Sequence, residues 1–292
     1  MAERSDSNII VALIITLLVG AAISWAGSDG GAYVGTLPLF AICGALAFAI
    51  NWLVFLPSAI AKTEHFYDLT GGLTYITVIA VAVYFAQPLD LRAKLVAAMV
   101  MVWSVRLASF LFLRISKAGK DSRFDVIKTR SLRFLLAWTL QGLWVLLTAA
   151  AALAIITGGV SKPLGVVGIV GIAIWAIGML IEIIADRQKS NFKANPDSAG
   201  KFINEGLWSW SRHPNYFGEI LLWIGMAIVA VPVLQGWQWA TLISPVFVAF
   251  LLMRVSGVPM LEEAADERWG GQEDYEAYKR NTPVLILRPP SA

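Results

Sequence analysis

The sequence predicts an all-α membrane protein, a polytopic transmembrane bundle of about seven or eight helices. Hydrophobic residues make up 58% of the chain, charged residues make up only 15%, and the mean hydropathy is +0.68. Soluble domains usually carry about 25% charged residues. Apolar stretches long enough to cross a bilayer also follow one another through most of the 292 residues, so little chain remains for a separate soluble domain.

Eight candidate spans are predicted from these apolar stretches. In chain order they cover residues 9–25, 37–61, 69–86, 93–113, 134–157, 164–185, 216–231 and 237–253. The first is interpreted as a retained helix rather than a signal peptide, because residues Met1–Ser7 before it are mixed in charge and Ser24-Trp25-Ala26 is a poor cleavage site. Residues 1–50 are predicted to form an N-terminal transmembrane region, and residues 51–292 a second domain with a cytoplasmic tail.

The distribution of Lys and Arg predicts the orientation of the chain. These residues concentrate in loops 114–133 and 187–212, whereas loops 27–36 and 232–236 contain none and loop 158–163 contains only Lys162. Cytoplasmic loops carry an excess of Lys and Arg, so the two basic loops are predicted to be cytoplasmic. Because successive loops lie on alternate sides of the membrane, eight spans place both termini in the cytoplasm. With seven spans the two termini would lie on opposite sides.

Composition also argues against several kinds of site. With one cysteine, Cys43, and two histidines in the whole sequence, neither a disulfide framework nor a zinc or di-iron centre is expected. The glycines Gly165, Gly168 and Gly171 lie three apart in an apolar helix, which favours close helix packing over a nucleotide-binding loop. No nucleic-acid-binding signature accompanies the pI of about 9.0, so the basic charge is attributed to orientation and anion binding.

The densest polar motif lies where a loop enters the seventh span. Residues 211–219 read Ser-Arg-His-Pro-Asn-Tyr-Phe-Gly-Glu. Each polar group buried at such a position needs a partner, which makes packing alone a poor explanation for the motif. The free N–H groups and the dipole of a helix N-terminus favour anions, and the nearby basic side chains add to this effect. The motif therefore predicts an anion site, with phosphate as the expected anion.

Two carboxylates stand at the inner end of the sixth span. Glu182 and Asp186 are four residues apart and share one helix face. They are explained either by pairing with Arg187 or Lys189 at the membrane surface, or by a helix that continues beyond the bilayer and brings both signs of charge to a ligand. Both interpretations stay open at the level of sequence.

Further polar groups lie inside or beside other spans. Arg106 and Arg114 are eight residues apart on one helix face, and Arg106 either reaches to the surface or has a ligand or carboxylate partner. Asp68 begins a span, where it is either an N-cap or a functional carboxylate. Gly71 and Gly72 follow it and favour the close approach of a bulky group, such as a ligand.

Together these motifs resemble the C-terminal domain of the steroid 5-alpha-reductase superfamily, and more narrowly its bacterial branch of unknown function. The resemblance extends from about residue 51 to the end of the chain. The superfamily also holds sterol C14 and C7 reductases, which use NADPH, and isoprenylcysteine carboxyl methyltransferases, which use S-adenosylmethionine. The matching residues are Asp186 and Asn191, Gly206-Leu207-Trp208, the motif from Arg212 to Glu219, Glu262-Glu263, and Tyr275-Glu276-Ala277-Tyr278-Lys279-Arg280.

The resemblance implies a set of cofactor-binding residues. Asp186, Asn215 and Glu219 match the Asp, Asn and Glu of the reductases in spacing, and their family role is NADPH binding, with Asn215 and Glu219 near the nicotinamide. Arg106 falls where the 5-alpha-reductases hold an Arg for the cofactor. The full predicted set is Arg106, Arg114, Asp186, Asn191, Lys193, Lys201, Arg212, His213, Asn215 and Glu219.

The same resemblance suggests where the lipid binds and where the chain departs from the family. In the 5-alpha-reductases a Gln-Glu pair and a Tyr hold the steroid carbonyl, whereas this chain has Asp68-Leu69 and Trp103 at those positions. The predicted substrate-binding residues are Asp68, Gly71 and Trp103. Asp68 is the predicted catalytic acid, and Tyr216 and Glu219 are the alternatives.

These observations predict an NADPH-dependent membrane reductase that acts on a carbon–carbon double bond, conjugated to a carbonyl, in a steroid-like or isoprenoid lipid taken from the bilayer. The predicted location is a bacterial inner membrane, with the active site towards the cytoplasm. Membrane lipids are the expected partners, and nucleic acid is not. One alternative is an S-adenosylmethionine-dependent methyltransferase acting on a lipid thiol or carboxylate. A second is a non-catalytic lipid-binding membrane protein.

Overall fold

The computed structural model describes residues 6–118 and 124–290, with side chains described outside residues 113–118. In this part of the chain eight helices are long and apolar enough to cross a membrane, which confirms the all-α prediction and the count of eight spans. The two strands found there, β1 (Tyr33–Val34) and β2 (Leu37–Pro38), form a small antiparallel hairpin.

The helices follow the order that the apolar stretches predict. They are α1 (Asp6–Gly27), α2 (Leu39–Ala61), α3 (Tyr67–Phe85), α4 (Leu91–Ala118), the short α5 (Phe124–Ile127), α6 (Ser131–Thr157), α7 (Gly165–Ala194), α8 (Pro214–Ala230), α9 (Ile243–Phe250), α10 (Val258–Trp269) and α11 (Glu273–Asn281). Short 3₁₀ turns cover Pro196–Ser198, Gly206–Ser209, Val231–Val233 and Gly236–Leu242. A π-helical turn, Leu251–Val255, separates α9 from α10.

The chain divides into two compact units. The first comprises Met1–Gly165 and Ala230–Ser244, and α6 is its central helix. In the most apolar stretch of α6, 89% of the residues are buried, compared with 28% in α1. The consecutive alanines from Ala149 to Ala152 are fully buried, and their small side chains let α6 pack against α1, α2, α3 and α4.

The second unit comprises Val166–Val229 and Pro245–Ala292. Within it α7 and α8 pack backbone to backbone at glycines: a Cβ atom on Gly225 would lie 2.6 Å from the carbonyl oxygen of Gly171, and one on Gly218 would lie 2.6 Å from that of Gly178. The prediction that glycines of the sixth span serve helix packing is thus confirmed for Gly171. The π-helical turn and the irregular backbone of Gly257 end the last apolar segment before α10.

Helix α7 continues to Ala194, well past the end of its apolar stretch near residue 185. Asp186 therefore lies within a regular helix, as the second interpretation of the Glu182–Asp186 pair requires. The cytoplasmic placement of both termini and the division of the chain at residue 50 stay predictions.

Candidate functional site

The close packing of α7 and α8 brings four polar side chains onto facing helices. A Cβ atom on Gly218 would lie 2.7 Å from the backbone nitrogen of Glu182, so a larger residue at position 218 would push the helices apart. Glu182 and Asp186 are one turn apart on α7, and Asn215 and Glu219 are one turn apart on α8. We call these four residues the α7–α8 polar seam.

Asn215 and Asp186 are in direct contact in this seam. The Asn215 Nδ2 group donates a hydrogen bond to Asp186 Oδ1 over 3.2 Å. Asn215 Oδ1 is buried, and no hydrogen-bond donor among the described residues reaches it. Asp186 thus fixes the amide so that its oxygen is left as an acceptor, which fits a ligand N–H group such as that of a carboxamide.

Glu182 and Glu219 are the most buried carboxylates of the seam, with exposed fractions of 3% and 8%. The structure therefore brings together Asp186, Asn215 and Glu219, the three residues that best match the family spacing. Glu182 belongs with them, although the sequence supplied no role for it beyond its spacing from Asp186. That spacing was the signal that predicted its helix face.

The predicted basic contacts Arg212 and His213 have a protein partner. Arg212 Nη1 lies 2.6 Å from Glu262 Oε2, and His213 Nε2 lies 2.7 Å from Glu262 Oε1. The ring of Tyr216 stacks on that of His213 at 5.5 Å between centroids. Glu262 on α10 therefore holds both residues at the start of α8, a role that its position in the sequence did not indicate. Their predicted contact with a cofactor stays a prediction.

The charge of His213 follows from its surroundings. Burial lowers the pKa of His213 and outweighs its hydrogen bond with Glu262, which acts in the opposite direction. Because the unperturbed pKa of histidine is about 6.5, the ring is neutral at pH 7. The motif thus presents the neutral His213 ring, stacked on Tyr216, and Arg212 paired with a carboxylate. Anion binding at the start of α8, which the sequence predicts, stays a prediction.

The Gly206-Leu207-Trp208 segment fixes the loop before the motif. Gly206 has a left-handed backbone with φ of +58°, which favours glycine. Trp208 Nε1 donates to the carbonyl oxygen of Ala185 over 3.0 Å, and Lys189 lies 4.4 Å above the Trp208 ring. The backbone N–H of Leu207 donates to Gln188 Oε1. The role of Gly206-Leu207-Trp208 is therefore structural, because these residues dock the loop onto α7.

The remaining predicted cofactor residues of this unit lie at the surface. Asn191 and Lys193 are exposed on the last turns of α7, and Lys201 is exposed in the following loop. Exposed amines of this kind are available to phosphate oxygens. Arg114, predicted from its register with Arg106, belongs to α4, but its side chain lies outside the described residues.

A second group of polar side chains lies in the other unit. Asp68, Gly71 and Tyr75 of α3, Trp103 and Ser104 of α4, and Gln141 of α6 line a cavity of about 10 Å³, roughly the space of one water molecule. We call it the polar cavity. The three predicted substrate-binding residues, Asp68, Gly71 and Trp103, are all part of its wall. They come from two helices and are up to 35 positions apart in the sequence.

The structure corrects the N-cap interpretation of Asp68. Helix α3 begins at Tyr67, with Phe66 at the N-cap position, so Asp68 is the second helical residue. Its carboxylate is half-buried in the cavity wall. The neighbouring glycines serve protein packing: Gly72 lies directly against Ala108 of α4, and Gly71 faces the amide of Gln141. Protein groups thus approach both glycines closely, and the predicted contact of Gly71 with a ligand stays a prediction.

Tyr75 and Gln141 are among the residues of the cavity wall that were not predicted. Tyr75 packs edge-on against the fully buried Trp103, with 4.9 Å between ring centroids. Its position seven residues after Asp68 places it on the same helix face, which was the available signal. Gln141 is an amide in a span whose other polar residues are threonines, and that was a signal as well. Arg106 lies half-buried on α4 and is not part of the cavity wall.

The part of the chain that the structure describes contains no candidate metal-binding site. No group of three or more His, Cys, Asp or Glu side chains there could hold a metal ion.

Comparison with known proteins assigns the chain to a family. A family model described as "Protein of unknown function (DUF1295)" matches residues 54–282, which is most of the chain. The chain therefore belongs to this family, the steroid 5-alpha-reductase-like family. Together with its eight apolar helices, this membership identifies an integral multi-pass membrane protein.

Curated relatives match shorter segments, less than half the length of each relative. The chain is 37% identical over 70 residues to bovine 3-oxo-5-alpha-steroid 4-dehydrogenase 1, covering 24% of this chain and 27% of the relative. It is 36% identical over 118 residues to the Macaca fascicularis protein of the same name, covering 40% of each chain. It is 28% identical over 131 residues to the probable O-methyltransferase ustE of Ustilaginoidea virens, covering 41% of this chain and 45% of the relative. No solved structure matches significantly.

Proposed function

We propose that this protein is an NADPH-dependent reductase of a carbon–carbon double bond, conjugated to a carbonyl, in a steroid-like or isoprenoid lipid. Family membership and the relatives named 3-oxo-5-alpha-steroid 4-dehydrogenase support the reaction class. The observation that carries the cofactor assignment is the contact between Asp186 and Asn215, because it joins, on facing helices, two of the three residues whose spacing matches the reductases.

In this proposal the second unit binds the cofactor. Asn215 would hold the nicotinamide carboxamide through its Oδ1 acceptor, and Asp186 holds the Asn215 amide in place. Glu219, one turn along α8, supplies a further acceptor on the same face. The exposed amines of Lys193 and Lys201 would bind the cofactor's phosphate oxygens. The bound cofactor supplies the hydride, and the protein side chains orient it.

The polar cavity supports the assignment of the acid. Negative charge develops on the substrate oxygen during reduction of an enone, and a donor aimed at that oxygen stabilises the transition state. Asp68 is the proposed acid, because its carboxyl lies in a cavity wall that is otherwise largely apolar and aromatic. Tyr216 and Glu219 remain the alternative acids.

We further propose that the protein lies in a bacterial inner membrane with the cofactor site towards the cytoplasm, where NADPH is found. The concentration of Lys and Arg in loops 114–133 and 187–212 supports this orientation. Reporter fusions within residues 195–201 and 232–236 test it. A cytoplasmic signal at 195–201 and an outside signal at 232–236 are expected, and the reverse pattern would refute the orientation.

The proposed reaction is tested by the oxidation of NADPH by the full chain in detergent, followed by its absorbance. A 3-oxo-4-ene steroid is the first substrate to try, because the relatives' name specifies it. NADPH oxidation that depends on the steroid and yields the saturated ketone is expected. Tight NADPH binding without turnover of any enone lipid would limit the protein to cofactor binding and contradict the reaction.

The similarity to a probable O-methyltransferase favours one other function, methyl transfer from S-adenosylmethionine to a lipid. The two enzyme functions differ in their cofactor and in their need for an acid. A methyltransferase binds S-adenosylmethionine in place of NADPH and keeps its activity when Asp68 is replaced by Asn. A lipid-binding protein without catalysis, the third interpretation, binds neither cofactor.

A further inference from the structure

Gln141 is a buried amide on α6 of the first unit. Its side chain is 1% exposed, and its Nε2 group donates a hydrogen bond to the carbonyl oxygen of Tyr67 over 2.8 Å. The Oε1 atom is buried, and none of the described residues donates a hydrogen bond to it. The residue lines the polar cavity together with Asp68 and Tyr75.

The orientation of this amide is fixed by its surroundings. If the amide were flipped, Oε1 would face the Tyr67 carbonyl and two acceptors would oppose each other. Gly71 leaves the space that the amide needs, because a Cβ atom there would lie 2.5 Å from Gln141 Nε2. Oε1 is therefore held as a hydrogen-bond acceptor.

A buried acceptor without a donor does not by itself indicate a ligand, and Asn51 shows why. This residue is also fully buried, its Nδ2 group donates to the Ala47 carbonyl oxygen over 2.8 Å, and its Oδ1 atom has no donor among the described residues. Asn51 does not belong to the wall of the polar cavity, whereas Gln141 does. The difference between the two amides is thus the presence of a space beside Gln141 that a ligand group can enter.

We infer that Gln141 is a specificity-determining residue, whose Oε1 atom accepts a hydrogen bond from an O–H group at the polar end of a lipid ligand. An acceptor pairs with a hydroxyl and opposes a carbonyl oxygen, so the polar cavity selects an alcohol or enol over the matching ketone. The inference rests on the proposed function for the lipid nature of the ligand. Beyond the proposed function, the inference specifies that the polar cavity prefers a hydroxyl oxygen to a carbonyl oxygen.

This preference also suits the proposed reaction. As a hydride forms the new C–H bond at the β carbon, the electron pair of the carbon–carbon double bond moves towards the carbonyl carbon. The carbonyl pair moves onto oxygen, which takes the proton of Asp68 and gives an enol O–H, leaving Asp68 as a carboxylate. Gln141 opposes the ketone of the substrate and favours the O–H of the enol. An interaction that is stronger in the later state than in the ground state lowers the barrier.

A binding experiment tests the inference without turnover. The full chain in detergent, without nucleotide, is titrated with a 3-oxo-4-ene steroid and with the matching 3-hydroxy-4-ene steroid, and tryptophan fluorescence reports binding. Wild type is expected to bind the alcohol about tenfold more tightly or better. In Gln141→Leu this ratio falls to about one, whereas the matched control Asn51→Leu retains it.

If Gln141→Leu does not fold, two other measurements decide whether Gln141 sets the preference. They are the ratio of alcohol to ketone affinity in wild type and the same ratio in Gln141→Asn, which withdraws the amide by one methylene. Equal binding of the two steroids by wild type, preference for the ketone, binding of neither, or an unchanged ratio in the Gln141 variants would overturn the inference. Failure of the Gln141 inference can be distinguished from failure of the proposed reductase function. Steroid reduction without the preference refutes only the role of Gln141, and the preference without NADPH oxidation refutes only the reductase.

Discussion

The α7–α8 polar seam and the polar cavity are built in opposite ways. In the seam and the adjoining motif, polar groups hold one another: Asp186 orients Asn215, and Glu262 pairs with Arg212 and His213. In the cavity, three helices each contribute polar groups to a mainly apolar and aromatic wall. The comparison shows that the first region is a cluster of polar groups that position one another. The second is a small cavity in whose wall the buried Gln141 oxygen has no hydrogen-bond donor among the described residues.

The largest effect is expected at the cavity. As the proposed acid, Asp68 supplies a proton in the transition state, and general acids contribute on the order of 10²–10⁴-fold to rate. Asp68→Asn is therefore expected to reduce turnover by about that factor while NADPH affinity and melting temperature stay near wild type. Steady-state kinetics and nucleotide titration measure the two properties separately. A fully active Asp68→Asn variant would transfer the role to Tyr216 or Glu219.

The next effect is expected in the seam. Asn215→Leu, Asp186→Ala and Glu219→Gln each remove a polar group from the proposed cofactor site. Loss of a charged or buried hydrogen bond costs roughly 1.5–3 kcal/mol, so NADPH affinity is expected to fall about ten- to a hundredfold. Asn51→Leu, which alters a buried amide of the other unit, is the control for folding. Wild-type NADPH affinity in all three variants would place the cofactor elsewhere.

A third effect concerns the stability of the motif. Glu262→Gln removes the carboxylate that pairs with Arg212 and His213, and is expected to lower the free energy of unfolding by about 1–3 kcal/mol. Glu263→Gln changes the exposed neighbouring residue and serves as the matched control. Chemical denaturation measures both. Equal stability of the two variants would show that Glu262 does not hold the motif.

His213 gives the motif a pH dependence with a defined sign. Burial lowers its pKa in the folded state, so the unfolded chain binds the proton more readily below about pH 6.5. The contribution of His213 to stability is thus fully present above that pH and is lost as the pH falls through the folded pKa. Melting temperatures between pH 7.5 and 5 are expected to drop less in His213→Gln than in wild type. Equal slopes would exclude this contribution.

The smallest effect is expected at the exposed lysines. Interactions of surface charges are typically worth about 0.2–1 kcal/mol, so Lys193→Ala and Lys201→Ala are each expected to weaken NADPH binding by only a few-fold. Raising the salt concentration should reduce the difference from wild type, because exposed charges are screened. A loss as large as that of Asn215→Leu would mean that a lysine is buried against the cofactor.

The sequence predicts the seam better than the cavity, for a physical reason. The pairs Glu182–Asp186 and Asn215–Glu219 have a four-residue spacing, and helical geometry alone places each pair on one face. The eight spans follow in the same way from apolar length. The contacts of Glu262 and Gln141 span 50 and 74 positions of the chain respectively, so no local pattern predicts either of them.

Helix packing decides these longer-range contacts. Glu262 reaches the motif because the chain turns after the π-helical segment Leu251–Val255; Gly257 and Pro259 mark a turn in the sequence, but not where it places Glu262. Gln141 reaches α3 because Gly71 leaves room for its amide, which the sequence suggested only as space for a ligand. Asp68 looked like an N-cap because it begins an apolar run, but the helix starts one residue earlier.

The most direct test of the central claim is to identify the nucleotide that remains bound to the full chain after gentle detergent extraction. Mass spectrometry of the released ligand is expected to find NADP(H) in wild type and in Asn51→Leu, and to find it strongly reduced in Asn215→Leu. S-adenosylmethionine in its place, or NADP(H) retained equally in all three proteins, would contradict the account.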